Sequence, residues 1–171
     1  NDDTDWSETF SFTTQDLEKD YLEFIAFGDH GLSDEAQNTA NLVRSFKNAE
    51  LVILAGDISY ANGEQSVWDD YANNYQSTMS NIPWMMAPGN HENETVYGYD
   101  FDAYETRFEM PSTSNTDLWH SFDYGGVHFV AISTEHPYYE GTEQLQWLKS
   151  DLSTANTNRE SVPWIVIYGH K

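Results

Sequence analysis

Residues 51–60 read Leu-Val-Ile-Leu-Ala-Gly-Asp-Ile-Ser-Tyr, an apolar run that ends at a glycine and an aspartate. Five consecutive apolar residues predict a strand that is covered on both faces, as in a parallel α/β sheet. An apolar run followed by polar side chains recurs at residues 24–31, 84–92 and 164–170. Ligands of an open α/β sheet bind outside the carboxyl ends of its strands. We therefore expect these four strand ends to form one site.

Helical patterns between the strands support an α/β fold. Ser33 is a suitable N-cap, and Asp34 and Glu35 in the first turn suit the positive end of the helix dipole. Gly125-Gly126 predicts a tight hairpin turn. The predicted strands are 21–27, 51–55, one starting at 83, 121–124, 127–133 and one after 163; the predicted helices are 33–48, 66–80, 100–108 and one after 141.

Side chains that can bind metals stand at each predicted strand end. They are Asp29, Asp57 with Tyr60, Asn90 and His170. Carboxylate, phenolate and amide oxygens and an imidazole nitrogen are all suitable ligands for metal ions. Each residue alone also has an ordinary structural interpretation, as a turn or helix cap, a packed aromatic ring or a hydrogen-bonded histidine. Their occurrence together at four strand ends favours a metal centre.

The order of the motifs resembles the calcineurin-like metallophosphoesterases, and within them the purple acid phosphatases. That family carries Asp-x-Gly, Gly-Asp-x-x-Tyr, Gly-Asn-His-Glu/Asp, Val-x-x-His and Gly-His-x-His. The first three correspond here to residues 29–31, 56–60 and 89–92. The fourth is imperfect, because Ile167 stands three residues before His170 where the family has Val. The fifth does not occur within the 171 residues, so the resemblance covers residues 20–171.

The resemblance implies a metallophosphoesterase-type α/β sandwich, with mixed β-sheets flanked by helices and incomplete at its C-terminus. Residues 15–171 would be the N-terminal part of the catalytic domain. Residues 1–14 would be the tail of a preceding fibronectin-like β-sandwich or a linker, since Trp6 to Thr14 alternate aromatic and polar positions like a half-buried strand. An acidic tail with a chance alternation is the other interpretation.

The resemblance also implies two metal ions. Asp57 would bridge them. Asp29, Asp57 and Tyr60 would hold Fe³⁺, and Asp57, Asn90 and His170 would hold a divalent ion, Zn, Fe or Mn. Tyr60 favours the purple acid phosphatases, because related phosphodiesterases of the superfamily lack a ligand at that place.

By the same resemblance, His91 is the predicted catalytic residue and contacts the substrate phosphate together with Asn90. A structural hydrogen bond within its loop is the other interpretation of His91. His30 occupies the variable position of its motif, so we expect it to point away from the metals. The remaining histidines, His120, His128 and His136, have no motif support, and His128 is expected on a sheet face.

The predicted function is hydrolysis of phosphate monoesters by a metal-bound water or hydroxide, as in an acid phosphatase. The remaining ligands would come from a C-terminal segment or a second chain. The alternatives are a truncated, inactive binding module of the same fold and a phosphodiesterase of the same superfamily. The expected partner is a small phosphorylated substrate.

The charge balance limits the partners. Seven Lys and Arg against 29 Asp and Glu give a net charge of −22, which argues against nucleic acids and anionic membranes. A phosphate would be repelled at long range, so a concentrated cationic feature such as bound metal must attract it. The acidity fits either a solubilising surface or salty surroundings. Cysteine is absent, which excludes disulfides and thiolate ligands. We expect an extracellular or secreted protein whose Asn93 sequon is unmodified.

Overall fold

A computed structural model describes residues 9–16, 19–111, 114 and 116–171. The strands are β1 Phe24–Phe27, β2 Leu51–Ala55, β3 Trp84–Ala87, β4 His120–Tyr124, β5 Val127–Ala131 and β6 Trp164–Tyr168. The α-helices are α1 Asp34–Ser45, α2 Gln65–Met79, α3 Asp102–Arg107 and α4 Glu143–Thr157, and a short 3₁₀ helix spans Thr95–Tyr97.

The six strands form two three-stranded sheets. In the parallel sheet, β2 lies between β1 and β3 and pairs in parallel with both. In the mixed sheet, β5 lies between β4 and β6; it is antiparallel to β4 and parallel to β6. Because β1, β2 and β3 run in the same direction, their carboxyl ends meet at one edge.

The central strand β2 packs on two sides, because successive side chains of a strand point to opposite faces. Its residues Val52 and Leu54 join the core under the helices, where Trp68, Tyr71 and Tyr75 are almost fully buried. The aromatic residues of α2 are thus core residues, as their helical spacing predicts. The alternate residues of β2, with those of the mixed sheet, form a second cluster between the sheets: Leu51, Ile53, Val127 and Phe129.

Helix α4 covers the outer face of the mixed sheet through polar contacts. The Ser121 hydroxyl of β4 donates to Asp151 Oδ1 of α4 at 2.5 Å. His128 of β5 lies between two carboxylates, with Nδ1 2.6 Å from Asp123 Oδ1 and Nε2 2.9 Å from Asp151 Oδ2. The layers are therefore helices, parallel sheet, mixed sheet and helix, which confirms the predicted sandwich. His128 lies on a sheet face, as predicted.

Several predicted boundaries are corrected by the structure. The ladder of β1 begins at Phe24, which pairs with Leu51, and not at Tyr21. Each helix is also shorter than predicted or shifted by one residue, because the last turns are replaced by caps and bends.

The strand predicted for residues 6–14 lies partly outside the described residues. Its described part, residues 9–14, forms neither strand nor helix, and Phe12 is 67% exposed, because no described strand pairs with it. The assignment of residues 1–14 to a preceding domain or linker stays a prediction. In the described part of the chain, no helix combines the length and apolar character that crossing a bilayer requires.

Candidate metal centre

The loops that follow β1 and β2 continue to pair after the strands end. The amides of Asp29, His30 and Gly31 donate to the carbonyls of the loop after β2 at 3.1, 2.9 and 2.8 Å. This pairing places Asp29 beside Asp57. Both aspartates have φ of 52°, in the left-handed region that L-residues rarely adopt. Tyr60 is also left-handed, with φ of 56°. Such strained backbone is concentrated at functional sites, where the surrounding structure holds it in place.

Two close contacts join the predicted ligands in pairs. The Tyr60 hydroxyl donates to Asp29 Oδ1 at 3.0 Å, and His170 Nε2 lies 3.4 Å from Asp57 Oδ2. One ligand atom from each of Asp29, Asp57 and His170 lies within 4.8 Å of the other two. Asp57 is buried and Asp29 is exposed, so the group opens to solvent on one side.

The orientation of His170 is fixed by β2. Its Nδ1 lies 3.0 Å from the carbonyl oxygen of Ala55, which can only accept, so Nδ1 carries the proton and Nε2 keeps its lone pair. That arrangement is typical of a metal-binding histidine, whose second nitrogen donates to a carbonyl or carboxylate. A Cβ on Gly56 would lie 2.6 Å from the His170 Cβ, so only glycine permits this approach.

Asn90 lies in the exposed loop after β3, outside the compact group of Asp29, Asp57 and His170. The Lys171 ammonium donates to Asn90 Oδ1 at 3.0 Å and lies 3.4 Å from Glu135 Oε1. A cation therefore already contacts the amide oxygen predicted to bind the second metal. The roles of these residues as ligands stay predictions.

His91, predicted to be catalytic, faces the same opening. Its backbone N–H donates to Asp57 Oδ1 at 3.0 Å, and its Nε2 lies 3.8 Å from Asp57 Oδ2. The ring packs against Tyr60 with centroids 4.5 Å apart, and Nδ1 lies 2.7 Å from Asn62 Oδ1. The side chain is 34% exposed, so a small substrate can reach it.

The structure places His30 away from the strand-end group, as expected. It is buried under α1 and α2, with Nδ1 2.8 Å from the Tyr71 hydroxyl and Nε2 3.2 Å from the Ala36 carbonyl. Burial lowers its pKa to about 4, so the ring is neutral at physiological pH. His120 is also buried, where burial lowers its pKa to about 4, and the His136 ring packs against Phe101. Neither His120 nor His136 belongs to the compact ligand group.

Glu92 is the important residue whose individual role the sequence did not reveal. Its fully buried carboxylate accepts the backbone N–H groups of Asp57, Ile58 and Gly89 at 2.8, 2.9 and 2.7 Å. It thus ties the loop after β2 to the loop after β3. Burial raises the pKa of Glu92 to about 7, although the three N–H groups favour the charged form. Its place at the end of the Gly-Asn-His-Glu motif was the available signal, since motif acids also support loops.

The electrostatics of the strand ends call for a cation. Burial, with the nearby carboxylates of Asp29 and Asp57, raises the pKa of the Tyr60 phenol. A bound metal ion would be the largest local charge and would reverse that effect. The donor set consists of hard oxygen ligands and one imidazole, which suits Fe, Zn or Mn. The residues present therefore fit the metal ions that the motifs imply.

Comparison with known proteins gives a consistent result. Residues 22–171 match the family described as calcineurin-like phosphoesterase. Purple acid phosphatase 21 of Arabidopsis thaliana is 35% identical over 169 residues, which cover 95% of this chain and 38% of that protein. Probable inactive purple acid phosphatase 27 of the same plant is 31% identical, covering 97% of this chain and 31% of the relative. The chain therefore spans less than two-fifths of the length of these relatives.

A solved structure agrees with the sequence comparisons. The purple acid phosphatase PPD1 from yellow lupin (Lupinus luteus) seeds superposes with a TM-score of 0.85 at 26% identity, over 97% of this chain and 33% of that one. The four-layer sandwich and the ordered motifs at the strand ends agree with this assignment. The chain belongs to the calcineurin-like phosphoesterases, and the relatives found for it are purple acid phosphatases.

Proposed function

We propose that the protein hydrolyses phosphate monoesters at two metal ions held by Asp29, Asp57, Tyr60, Asn90 and His170. The observation that supports this most is the convergence of Asp29, Asp57 and His170 within 4.8 Å at the carboxyl edge of the parallel sheet. A pair of metal ions there would polarise a phosphoryl oxygen and provide a nucleophile from water at low pH.

The chain's own residues have distinct roles in this proposal. Asp57 is buried between the two halves of the site and is positioned to bridge them. Asp29 and Tyr60 form the half for Fe³⁺, because hard anionic oxygens suit a trivalent ion. Asn90 and His170 form the half for Zn, Fe or Mn, where neutral ligands leave more charge for the phosphate. His91 donates a hydrogen bond to a phosphoryl oxygen or carries a proton.

Turnover of two chromogenic substrates tests the reaction class. The metal-loaded protein should hydrolyse p-nitrophenyl phosphate faster than bis(p-nitrophenyl) phosphate, with inversion of configuration at phosphorus. Retention would indicate a covalent phosphoenzyme, which the described residues do not suggest. Preference for the diester would favour the phosphodiesterase alternative.

Colour tests the identity of the first metal. If Tyr60 binds Fe³⁺, the oxidised protein absorbs broadly in the visible, and Tyr60→Phe removes that band while it keeps the ring. A colourless, active wild type without iron would contradict the iron assignment and leave the phosphoesterase assignment intact.

An inactive binding protein is the second candidate, favoured by relatives that carry the name probable inactive purple acid phosphatase. Such a protein would bind metal or phosphate at the same residues without turnover. The two candidates separate when metal content and hydrolysis are measured on the same preparation. The remaining ligands from a C-terminal segment or second chain, the small phosphorylated substrate and the extracellular location belong to the same proposal.

A further inference from the structure

The Asn62 side chain connects two of the motif loops at the edge of the site. It follows Tyr60 by two residues, and its Oδ1 lies 2.7 Å from Nδ1 of His91 in the loop after β3. Its Nδ2 donates to the Tyr60 carbonyl oxygen at 3.1 Å. The amide therefore bridges the backbone of one predicted metal ligand and the ring of the predicted catalytic histidine.

The Tyr60 carbonyl determines which way the Asn62 amide faces. A carbonyl oxygen can only accept, so the NH₂ group of Asn62 must face it and the amide oxygen must face His91. An amide oxygen can also only accept, so the His91 nitrogen beside it must carry a proton. His91 is thereby held with its proton on Nδ1 and with Nε2 turned towards Asp57, 3.8 Å from Oδ2.

The backbone at Asn62 is fixed in an unusual conformation that keeps the amide in place. Asn62 has φ of 51°, which asparagine tolerates better than most residues. The next residue, Gly63, has φ of 89°, and its N–H donates to the buried Glu94 carboxylate at 3.0 Å. The Tyr97 ring also packs directly on Gly63, so a Cβ there would meet it at 2.5 Å.

We infer that Asn62 is the positioning residue for His91: it selects the Nδ1–H form of the ring and aims Nε2 at the substrate phosphate. This inference rests on the proposed phosphatase function for its consequence, but its structural part stands without it. His170 has the same form, Nδ1–H donating to the Ala55 carbonyl with Nε2 facing Asp57. Two histidines of the site are thus held alike, one by a backbone carbonyl and the other by a side-chain amide.

The test is imidazole ¹⁵N NMR of the metal-free protein, recorded well above the ordinary histidine pKa of about 6.5 so that the rings are neutral. Wild-type His91 should show the proton on Nδ1. Asn62→Gly removes the amide and keeps the left-handed backbone accessible, so the proton should shift towards Nε2, the form that free imidazole prefers. Asn62→Asp keeps an acceptor oxygen, so it should restore the Nδ1–H form.

Asp100→Gly is the matched control. Asp100 is also exposed and left-handed, with φ of 49°, but its side chain bonds to the Thr95 hydroxyl and not to His91. It should leave the His91 spectrum unchanged. Nε2–H in the wild type, or an unchanged spectrum in Asn62→Gly, would overturn the inference.

Activity then tests the consequence separately. Loss of a partner that orients a site histidine typically costs about 10- to 100-fold, and we expect that decrease in kcat/KM for Asn62→Gly. An Asn62→Gly variant with an altered tautomer and full activity would overturn the catalytic consequence. A wild type with the expected tautomer but no phosphatase activity with any metal pair would overturn the proposed function while leaving the positioning of His91 established.

Discussion

The loop after β1 and the loop after β3 each place a histidine directly behind a predicted metal ligand, and the two histidines have opposite surroundings. His30 follows Asp29 and is 5% exposed, with both ring nitrogens used by Tyr71 and the Ala36 carbonyl. His91 follows Asn90, and its side chain is 34% exposed with Nε2 facing the strand-end carboxylates. The same sequence feature therefore has a structural role in one loop and a proposed chemical role in the other.

The tautomers of the two rings also differ. The Ala36 carbonyl requires a proton on Nε2 of His30, while the Asn62 amide requires a proton on Nδ1 of His91. Burial decides which role is possible, because a ring that is desolvated and fully hydrogen-bonded cannot reach a substrate. A histidine in a metal motif is thus a candidate for catalysis only if one nitrogen remains free and accessible.

The largest effect is expected from His91→Ala. A positioned acid or donor typically contributes about 10²- to 10⁴-fold to a rate, so kcat/KM for a phosphate monoester should fall by that factor. The free energy of unfolding should change by less than about 1.5 kcal/mol, since one hydrogen bond is lost at a partly exposed position. Steady-state kinetics and urea denaturation measure both. Wild-type activity in this variant would remove His91 from the reaction.

Glu92→Ala should disrupt the loop after β3 more than any other single change in its interior. It leaves three buried N–H groups without their acceptor, and each unsatisfied group costs about 1–3 kcal/mol. We expect a loss of at least about 3 kcal/mol in the free energy of unfolding, and weaker metal binding by calorimetry. Glu94→Ala is the matched control: that carboxylate is equally buried but serves Gly63, Gln65 and Trp68, so it should lower stability and spare metal affinity.

His30→Ala should lower stability without a direct effect on chemistry. The substitution leaves a cavity beside Tyr71, Tyr75 and Trp84 and removes two hydrogen bonds, so we expect a loss of about 2–4 kcal/mol. At a temperature where the variant is fully folded, kcat should stay close to the wild-type value. A large fall in kcat with unchanged stability would show that the two loops do not differ in the way proposed.

The smallest effect concerns His128, which shows what carboxylate neighbours do to a histidine. Burial lowers its pKa, but the hydrogen bonds with Asp151 and Asp123 outweigh burial and raise it above the ordinary value. The imidazolium therefore favours the folded state. Its contribution is fully present below the unfolded pKa of about 6.5 and is lost as the pH rises through the higher folded pKa.

Stability measured by urea denaturation should thus fall with rising pH over that window in the wild type. The fall should be weaker in His128→Asn, which cannot be protonated. Identical pH profiles for the two proteins would show that the contacts between β5, β4 and α4 do not depend on the charge of His128.

Much of the site was predictable because the ligands stand in short motifs at strand ends. The apolar run before Asp57 and the order of Asp29, Tyr60 and His170 predicted that these residues converge, and the structure brings them together. The burial of Trp68 and its neighbours in α2 followed from helical spacing.

Other features could not be predicted from sequence, because they depend on contacts between distant segments. Glu92 reaches three backbone amides, two of them more than thirty residues away, and nothing in its own neighbourhood indicates this. The proton positions of His30 and His91 depend on which carbonyl or amide lies beside each ring. The alternation around Phe12 predicted a strand, but alternation alone supplies no partner strand.

The most direct test of the central claim is anomalous diffraction from crystals of the protein grown with iron and zinc. The account predicts two peaks about 3.5–4 Å apart, with Asp57 shared between them. Asp29 and Tyr60 should contact the iron peak, Asn90 and His170 should contact the other, and His30 should contact neither. An absence of metal between Asp29, Asp57 and His170, or metal bound only at other residues, would contradict the account.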